Sequence, residues 1–375
     1  MIQTSFWEQS VFLRPRDYLI VGSGITGLSA ALRIKELQPS ASVAVIERGT
    51  LPSGAGTKNA GFACFGSLSE LVDDLNHMSE NQLLDLVFKR RRGLQLLQRK
   101  FPNIDFEQCG GYELFTSADQ DRYESCLQFI NHFNQKLKKE VGENVFVELS
   151  EFEKFGFQGV SHIIQNRFEG ALNPGKFMRE LLRRCRNADI EIFSGADVVN
   201  IDETSGEVTV STTYHDFTCE KVLVAVNGFA QKLLPGVDVV PARAQVLITK
   251  PIPDLKVKGT FHYDRGYYYF RNVGNRLLLG GGRNLDVDGE TTTVAALTKK
   301  IQNRLEELIA QVILPTVPNV EIEQRWSGIM GTGKSKSVIV KNISDRVVCA
   351  VRLGGMGVAI GSIIGEEAAD LICKT

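Results

Sequence analysis

The clearest order in the apolar pattern lies at residues 17 to 49, which read DYLIVGSGITGLSAALRIKELQPSASVAVIERG. The run YLIV predicts a short strand, and VAVIE predicts a second. Between them a helix is expected from about Ile25 to Leu37, with Leu28, Leu32 and Leu37 among its apolar positions and Pro39 just beyond its end. Later in the chain FHYDRGYYYFRNVGNRLLLGGGRN, residues 261 to 284, reads as a hairpin: an aromatic strand, a turn at NVGN, then RLLLGGG. VEIEQRW alternates as a strand does, and KSVIVKNISDRVVCAV looks like two short β-branched strands around the turn KNISD. Two amphipathic stretches predict helices, FKRRRGLQLLQRK at 88 to 100 with a solvated basic face and TVAALTKKIQNRLEELI at 293 to 309. No internal repeat is visible.

Two glycine motifs compete for a phosphate. Residues 328 to 335, GIMGTGKS, satisfy the G-x-x-x-x-G-K-[ST] pattern of a P-loop. That loop works only when a helix follows at once, so that backbone N–H groups and the positive helix end meet the phosphates. Here β-branched strands follow, with no apolar strand ending in an Asp to hold magnesium, so the octet is not read as a nucleotide-hydrolase site. At the other end of the chain, Gly22, Gly24 and Gly27 stand in G-x-G-x-x-G spacing between strand and helix, and Glu47 closes the second strand. One glycine makes the tight turn, the next admits a pyrophosphate and the third lets the helix pack on the strand, while the acid binds ribose hydroxyls. Ile25 and Thr26 at the head of the helix and Arg48 beside the acid belong to the same expected site. An acid at Glu47 disfavours a 2′-phosphate, leaving FAD and NAD as candidates.

Composition narrows the partners. The chain has 375 residues, 43% of them hydrophobic, enough for two domains with sizeable cores. A net charge of -1 argues against a nucleic-acid footprint and for a small-molecule substrate. Seven cysteines without CxxC spacing, and a start that carries charges and no apolar h-region, predict a reducing, cytoplasmic setting without disulfides. No run approaches the ~20 apolar residues of a membrane span. Five scattered histidines lack metal-ligand spacing, so no metal is expected.

The segment GTLPSGAGTKNAGFACFGS, residues 49 to 67, resembles the flavin-side loop of the FAD-dependent D-amino-acid oxidase superfamily, which includes glycine, sarcosine and γ-glutamylputrescine oxidising enzymes. CGGYELF, EGALNPGKFMRELLRRC, GADVVNID, KVLVAVNGFAQKLL, PARAQV and RLGGMGVAIGSIIGEEAADLI extend the resemblance along most of the chain. It implies an α/β fold, a Rossmann-like FAD-binding domain with a discontinuous α+β substrate domain on a mainly antiparallel sheet. The flavin domain would take about residues 1–76, 150–240 and 322–375, and the substrate domain 77–149 and 241–321. By position it implicates Lys58, Asn59, Ala60 and Gly61, Val198, Ala225, Asn227 and Gly228, Gly328 in the octet, and Gly355, Met356, Gly357 and Val358 as cofactor contacts. Asn173 is expected to cap a helix whose first turn holds Pro174.

The resemblance further implies oxidation of a small amine or amino acid, with hydride passing from the α-carbon to flavin N5 to leave an imine, and with oxygen or another electron acceptor reoxidising the flavin. On the hairpin Tyr267, Tyr269 and Arg271 share one face, a candidate catalytic wall and anion clamp. Relatives of the glycine oxidase kind place a carboxylate-binding Arg after a W-x-G turn, but RWSGIMGTGK has Met330 there, nearer to the γ-glutamylputrescine oxidoreductase branch. An amine without an α-carboxylate beside the reacting carbon is therefore expected, with Arg271, Arg325 or Lys334 as alternative anion sites. Asn59 and Met330 offer no Cys or His for a flavin link, so FAD is expected to be noncovalent. Competing readings are a flavin-binding protein with a degenerate substrate site and an NAD-dependent dehydrogenase.

Overall fold

A computed structural model describes residues 3–204 and 206–374. The run YLIV lies in the strand Arg16–Val21, buried at five of its six positions, as befits a central strand covered on both faces. It pairs in parallel with Val43–Glu47 on one side and Asp216–Val224 on the other. The sheet runs Ile339–Asn342, Val347–Val351, Asp216–Val224, Arg16–Val21, Val43–Glu47, Glu191–Ser194, with Glu207–Thr212 and Val198–Thr204 branching antiparallel from Asp216–Val224. The helices Ile25–Leu37, Gly357–Ile372, Glu80–Lys100 and Pro174–Asn187 pack on one face in a common apolar core. Asn173 caps the last of these through its side chain, accepting from the Lys176 N–H, with Pro174 in the first turn as expected.

A second eight-stranded sheet is mainly antiparallel, with one parallel pairing, Thr260–Tyr263 on Gly111–Thr116. Its order is Ile322–Thr332, Val240–Thr249, Arg276–Gly281, Tyr268–Val273, Thr260–Tyr263, Gly111–Thr116, Val160–Asn166, Phe146–Glu148. The hairpin closes at Val273 opposite Arg276, where the sequence placed its turn. Tyr268 and Phe270 face an aromatic core under the helix Lys299–Leu308, and the other face of the hairpin looks toward the first sheet. The two sheets therefore meet across a cleft.

Four expectations shift. The strand read from VEIEQRW does not end at Trp326, because Ile322–Thr332 runs on through the Gly328–Thr332 part of the octet and stays paired with Val240–Thr249 over its whole length. That strand and Val160–Asn166 belong to the second sheet, so the boundaries expected at 322 and 150 cut through it. The helix expected from 293 starts only at Lys299, since the Thr298 N–H is taken by Gln245 Oε1 and the Thr298 hydroxyl by Gln245 Nε2. The basic face of Glu80–Lys100 is only partly solvated: Arg90 is buried and donates to the Phe65 carbonyl.

Candidate active site

The first sheet ends in the expected glycine turn. Gly22 has φ of +105°, and Gly27 lies so close under it that an added Cβ would stand 2.0 Å from the Gly22 carbonyl. Gly27 thus serves helix packing and lies off the cleft, while a Cβ on Gly24 would meet nothing within 4 Å. Gly24 also caps the helix Ile25–Leu37 without any side-chain hydrogen bond, so its first N–H groups open on free space, and the Thr26 hydroxyl beside them is buried without a partner among the described residues. Glu47 is buried; one oxygen accepts from the Ser23 N–H and hydroxyl and the other from the Gly49 N–H and Ser53 hydroxyl. Arg48 lies 3.7 Å over the Phe229 ring.

From this turn a cavity of about 630 Å³ runs between the sheets. Gly22, Gly24, Ile25, Thr26, Glu47, Arg48, Val198, Ala225 and Asn227 line one end of it. Lys58, Asn59, Ala60, Tyr267, Tyr269, Gly328, Gly355, Met356, Gly357 and Val358 line the remainder. Met356 begins the helix Gly357–Ile372, again without a side-chain cap, so a second uncapped helix end opens on the same cavity. The amide oxygen of Asn227 accepts from the Arg352 and Leu353 N–H groups and ties the two ends together. The Asn59 side chain is spent within its own loop, donating to the Ala55 and Gly56 carbonyls and accepting from the Gly61 N–H.

Three other expected contacts stand off the cavity. Gly61 has φ of +75° and backs onto the Leu172 carbonyl, and Gly228 backs onto the Met330 carbonyl. Arg271 shares the face of Tyr269 but is buried, donating to the Leu172 carbonyl at 3.0 Å, with its Nε unpartnered among the described residues. Burial pulls its guanidinium down to about 10, which leaves it charged at neutral pH. It forms no clamp in the cavity. Arg325 pairs with Gln302 and Glu306, and Lys334 lies near Asp238, so neither alternative anion site lines the cavity. Among the described residues the cations that line the cavity are Arg48, Lys58, Lys232, Arg265, Arg283 and Lys336, the last ion-paired with Asp74.

Sequence reasoning missed two wall residues. Phe62 meets Tyr269 edge-on at 5.6 Å and His262 edge-on at 5.3 Å. His262 was findable, since the alternation of FHYD sets it opposite Tyr269 in the neighbouring strand. Burial pushes the Tyr269 phenol up to about 12, so it stays protonated as a donor. Among the described residues no group of three or more His, Cys, Asp or Glu could hold a metal, and no helix is long and apolar enough to cross a membrane.

The residues present fit a dinucleotide. Two uncapped helix ends favour anionic groups, an open glycine admits a pyrophosphate, and a buried carboxylate closes the strand that follows the glycine turn and its helix.

Over residues 17–371 the chain matches the protein family described as FAD dependent oxidoreductase, DAO. The probable oxidoreductase OrdL of Rhizobium meliloti is 23% identical over 373 residues, covering 96% of this chain and 83% of that protein. The crystal structure of glycine oxidase from Geobacillus kaustophilus gives a TM-score of 0.77 at 19% identity, over 96% of this chain and 95% of that one. L-proline dehydrogenase from P. horikoshii gives 0.76 at 16% identity, over 96% and 94%. The structural likenesses show the shared fold.

Proposed function

The chain belongs to the DAO family of FAD-dependent oxidoreductases, and from that premise we propose that it oxidises a small amine or amino acid at the carbon bearing nitrogen. Bound FAD supplies the acceptor for the hydride, and the organic product is an imine. The observation that carries this reading is the continuity of the cavity. It joins the uncapped end of Ile25–Leu37 to the uncapped end of Gly357–Ile372, and from there to an aromatic wall of Phe62, Tyr267 and Tyr269. The chain's own work is to bind, orient and exclude water. Lys58, Asn59 and Ala60 with Gly355 to Val358 would hold the flavin half of the cofactor, and Glu47 with Gly22 to Thr26 the adenosine and phosphate half.

The substrate is favoured to lack an α-carboxylate beside the reacting carbon. Met330 stands in the cavity wall where the sequence departs from glycine-oxidising relatives, and Arg271, the nearest replacement on the hairpin, is committed to Leu172. The test is anaerobic mixing of the yellow holoprotein with glycine, sarcosine, L-proline, putrescine and γ-glutamylputrescine, following oxidised-flavin absorbance. Bleaching by the last two and not the first three is expected. Bleaching by glycine alone would overturn the carboxylate inference. A flavin that none of the five bleaches would overturn the amine-oxidising reading in favour of a binding protein with a degenerate site.

A further inference from the structure

One histidine of the cavity wall, His262, is backed by a buried carboxylate, Glu169. His262 is only 5% exposed and lines the cavity, and its Nε2 is buried with no hydrogen-bond partner among the described residues. Its Nε2 lies 3.9 Å from Oε2 of Glu169, itself 1% exposed. The Glu169 carboxylate has a built seat: Oε1 accepts from the Phe65 N–H at 2.8 Å and the Gly66 N–H at 3.0 Å. Oε2 lies over Gly111, where an added Cβ would stand 2.0 Å from it. Burial raises the Glu169 carboxyl above its ordinary range, opposed by the facing imidazole and by the two backbone donors.

A substrate amine arrives largely as an ammonium at neutral pH, and an ammonium has no free electron pair to assist loss of hydride from the neighbouring carbon. We propose that His262, backed by Glu169, takes that proton inside the cavity. In this step one N–H bond of the ammonium breaks, the electron pair stays on the substrate nitrogen and the proton moves to the imidazole, with no change of oxidation state. His262 is the catalytic residue and Glu169 a positioning residue that stabilises the imidazolium. The other titratable groups facing the pair are Glu113 from the adjacent strand, Tyr269 from the hairpin, Cys64 from the loop, Glu70 from the helix Leu68–Asp74 and Arg90 from Glu80–Lys100.

This inference rests on the amine-oxidising reading, and one experiment separates the two. The pH dependence of anaerobic flavin bleaching by putrescine and γ-glutamylputrescine is measured for the holoprotein and for His262→Gln and Glu169→Gln. In parallel, ring-carbon NMR of the five histidines follows the His262 titration, assigned by its loss in His262→Gln. For the wild type, bleaching falls as pH drops through the His262 titration. His262→Gln is expected to bleach about 100-fold more slowly at pH 7, the low end of general acid–base contributions, with its pH limb moved up toward the free amine. Glu169→Gln is expected to move the His262 ring-carbon signal and the bleaching limb together to lower pH. An unchanged pH profile in His262→Gln overturns this proposal alone, as does a His262 midpoint indifferent to Glu169→Gln. The second outcome is readable even if His262→Gln loses its flavin. A wild-type flavin that neither amine bleaches overturns the reading beneath it.

Discussion

Glu113 lies one strand from His262, enclosed under the helix Leu68–Asp74, where Oε2 accepts the Ser69 N–H at 3.0 Å and Oε1 the Ser69 hydroxyl. Burial raises its carboxyl from the ordinary 4.5 to about 7. The folded protein thus holds this proton more tightly than the unfolded chain, so the contribution to stability is full below pH 4.5 and is lost as pH rises to about 7. Glu113→Gln keeps a carbonyl acceptor for Ser69 and has nothing to titrate. Its stability relative to wild type should therefore climb between pH 4.5 and 7, by on the order of 3 kcal/mol. Urea midpoints at pH 5 and pH 8 decide this: parallel shifts in the two proteins would mean that Glu113 is ionised in both states. Glu113 escapes a sequence reading because an acid inside an alternating strand looks like a solvent-facing residue. Glu47 was legible because its chemistry is local, an acid closing the strand after a glycine turn. Arg271 was half legible. Alternation gives its face correctly, but two residues along a strand is about 6–7 Å, enough to carry it from the cavity to cover beneath Leu172.

Between elements, the helix Gly357–Ile372 is wedged against two others by backbone contact. An added Cβ at Gly365 would stand 2.5 Å from the Thr26 carbonyl, and one at Gly93 would stand 1.8 Å from the Ala359 carbonyl. Both helix ends that open on the cavity depend on this fit. Gly365→Val is expected to cost about 1–3 kcal/mol, as over-packing of a tight core does. Because it separates the two ends, it should also lower the flavin retained per protein after purification. Thermal melts and the flavin-to-protein absorbance ratio check both, and a variant with unaltered melting and full flavin would contradict the wedge. The sequence made the hairpin with its turn legible. It misled on the octet GIMGTGKS, since the glycines of Gly328–Thr332 continue a paired strand that their composition gives no reason to expect. What keeps them extended is Val240–Thr249, nearly eighty residues away in the chain.

For the molecule as a whole, the cavity exists only because two sheets, each assembled from separated stretches of chain, face one another. The motif resemblance made that discontinuity legible, but not its seams: which sheet claims Val160–Asn166 and Ile322–Thr332 is settled by long-range pairing that no local pattern encodes. A ligand lying along such a cavity bridges both sheets, so FAD should act as a staple on the entire fold. At the two loop positions expected to carry a link, Asn59 and Met330 offer no nucleophile, and burial holds the Cys64 thiol far above its ordinary range, with its sulfur 3.7 Å from Met356 Sδ. Unfolding should then release all of the flavin. It follows by mass action that the holoprotein gains about 2.7 kcal/mol at free FAD one hundred times the dissociation constant, and that its melting temperature climbs with each further addition. Acid precipitation should leave the yellow colour in the supernatant and colourless protein in the pellet. A flavin that stays with the pellet, or a melting temperature indifferent to added FAD after stripping, would mean that the cofactor is anchored by a bond these side chains do not explain.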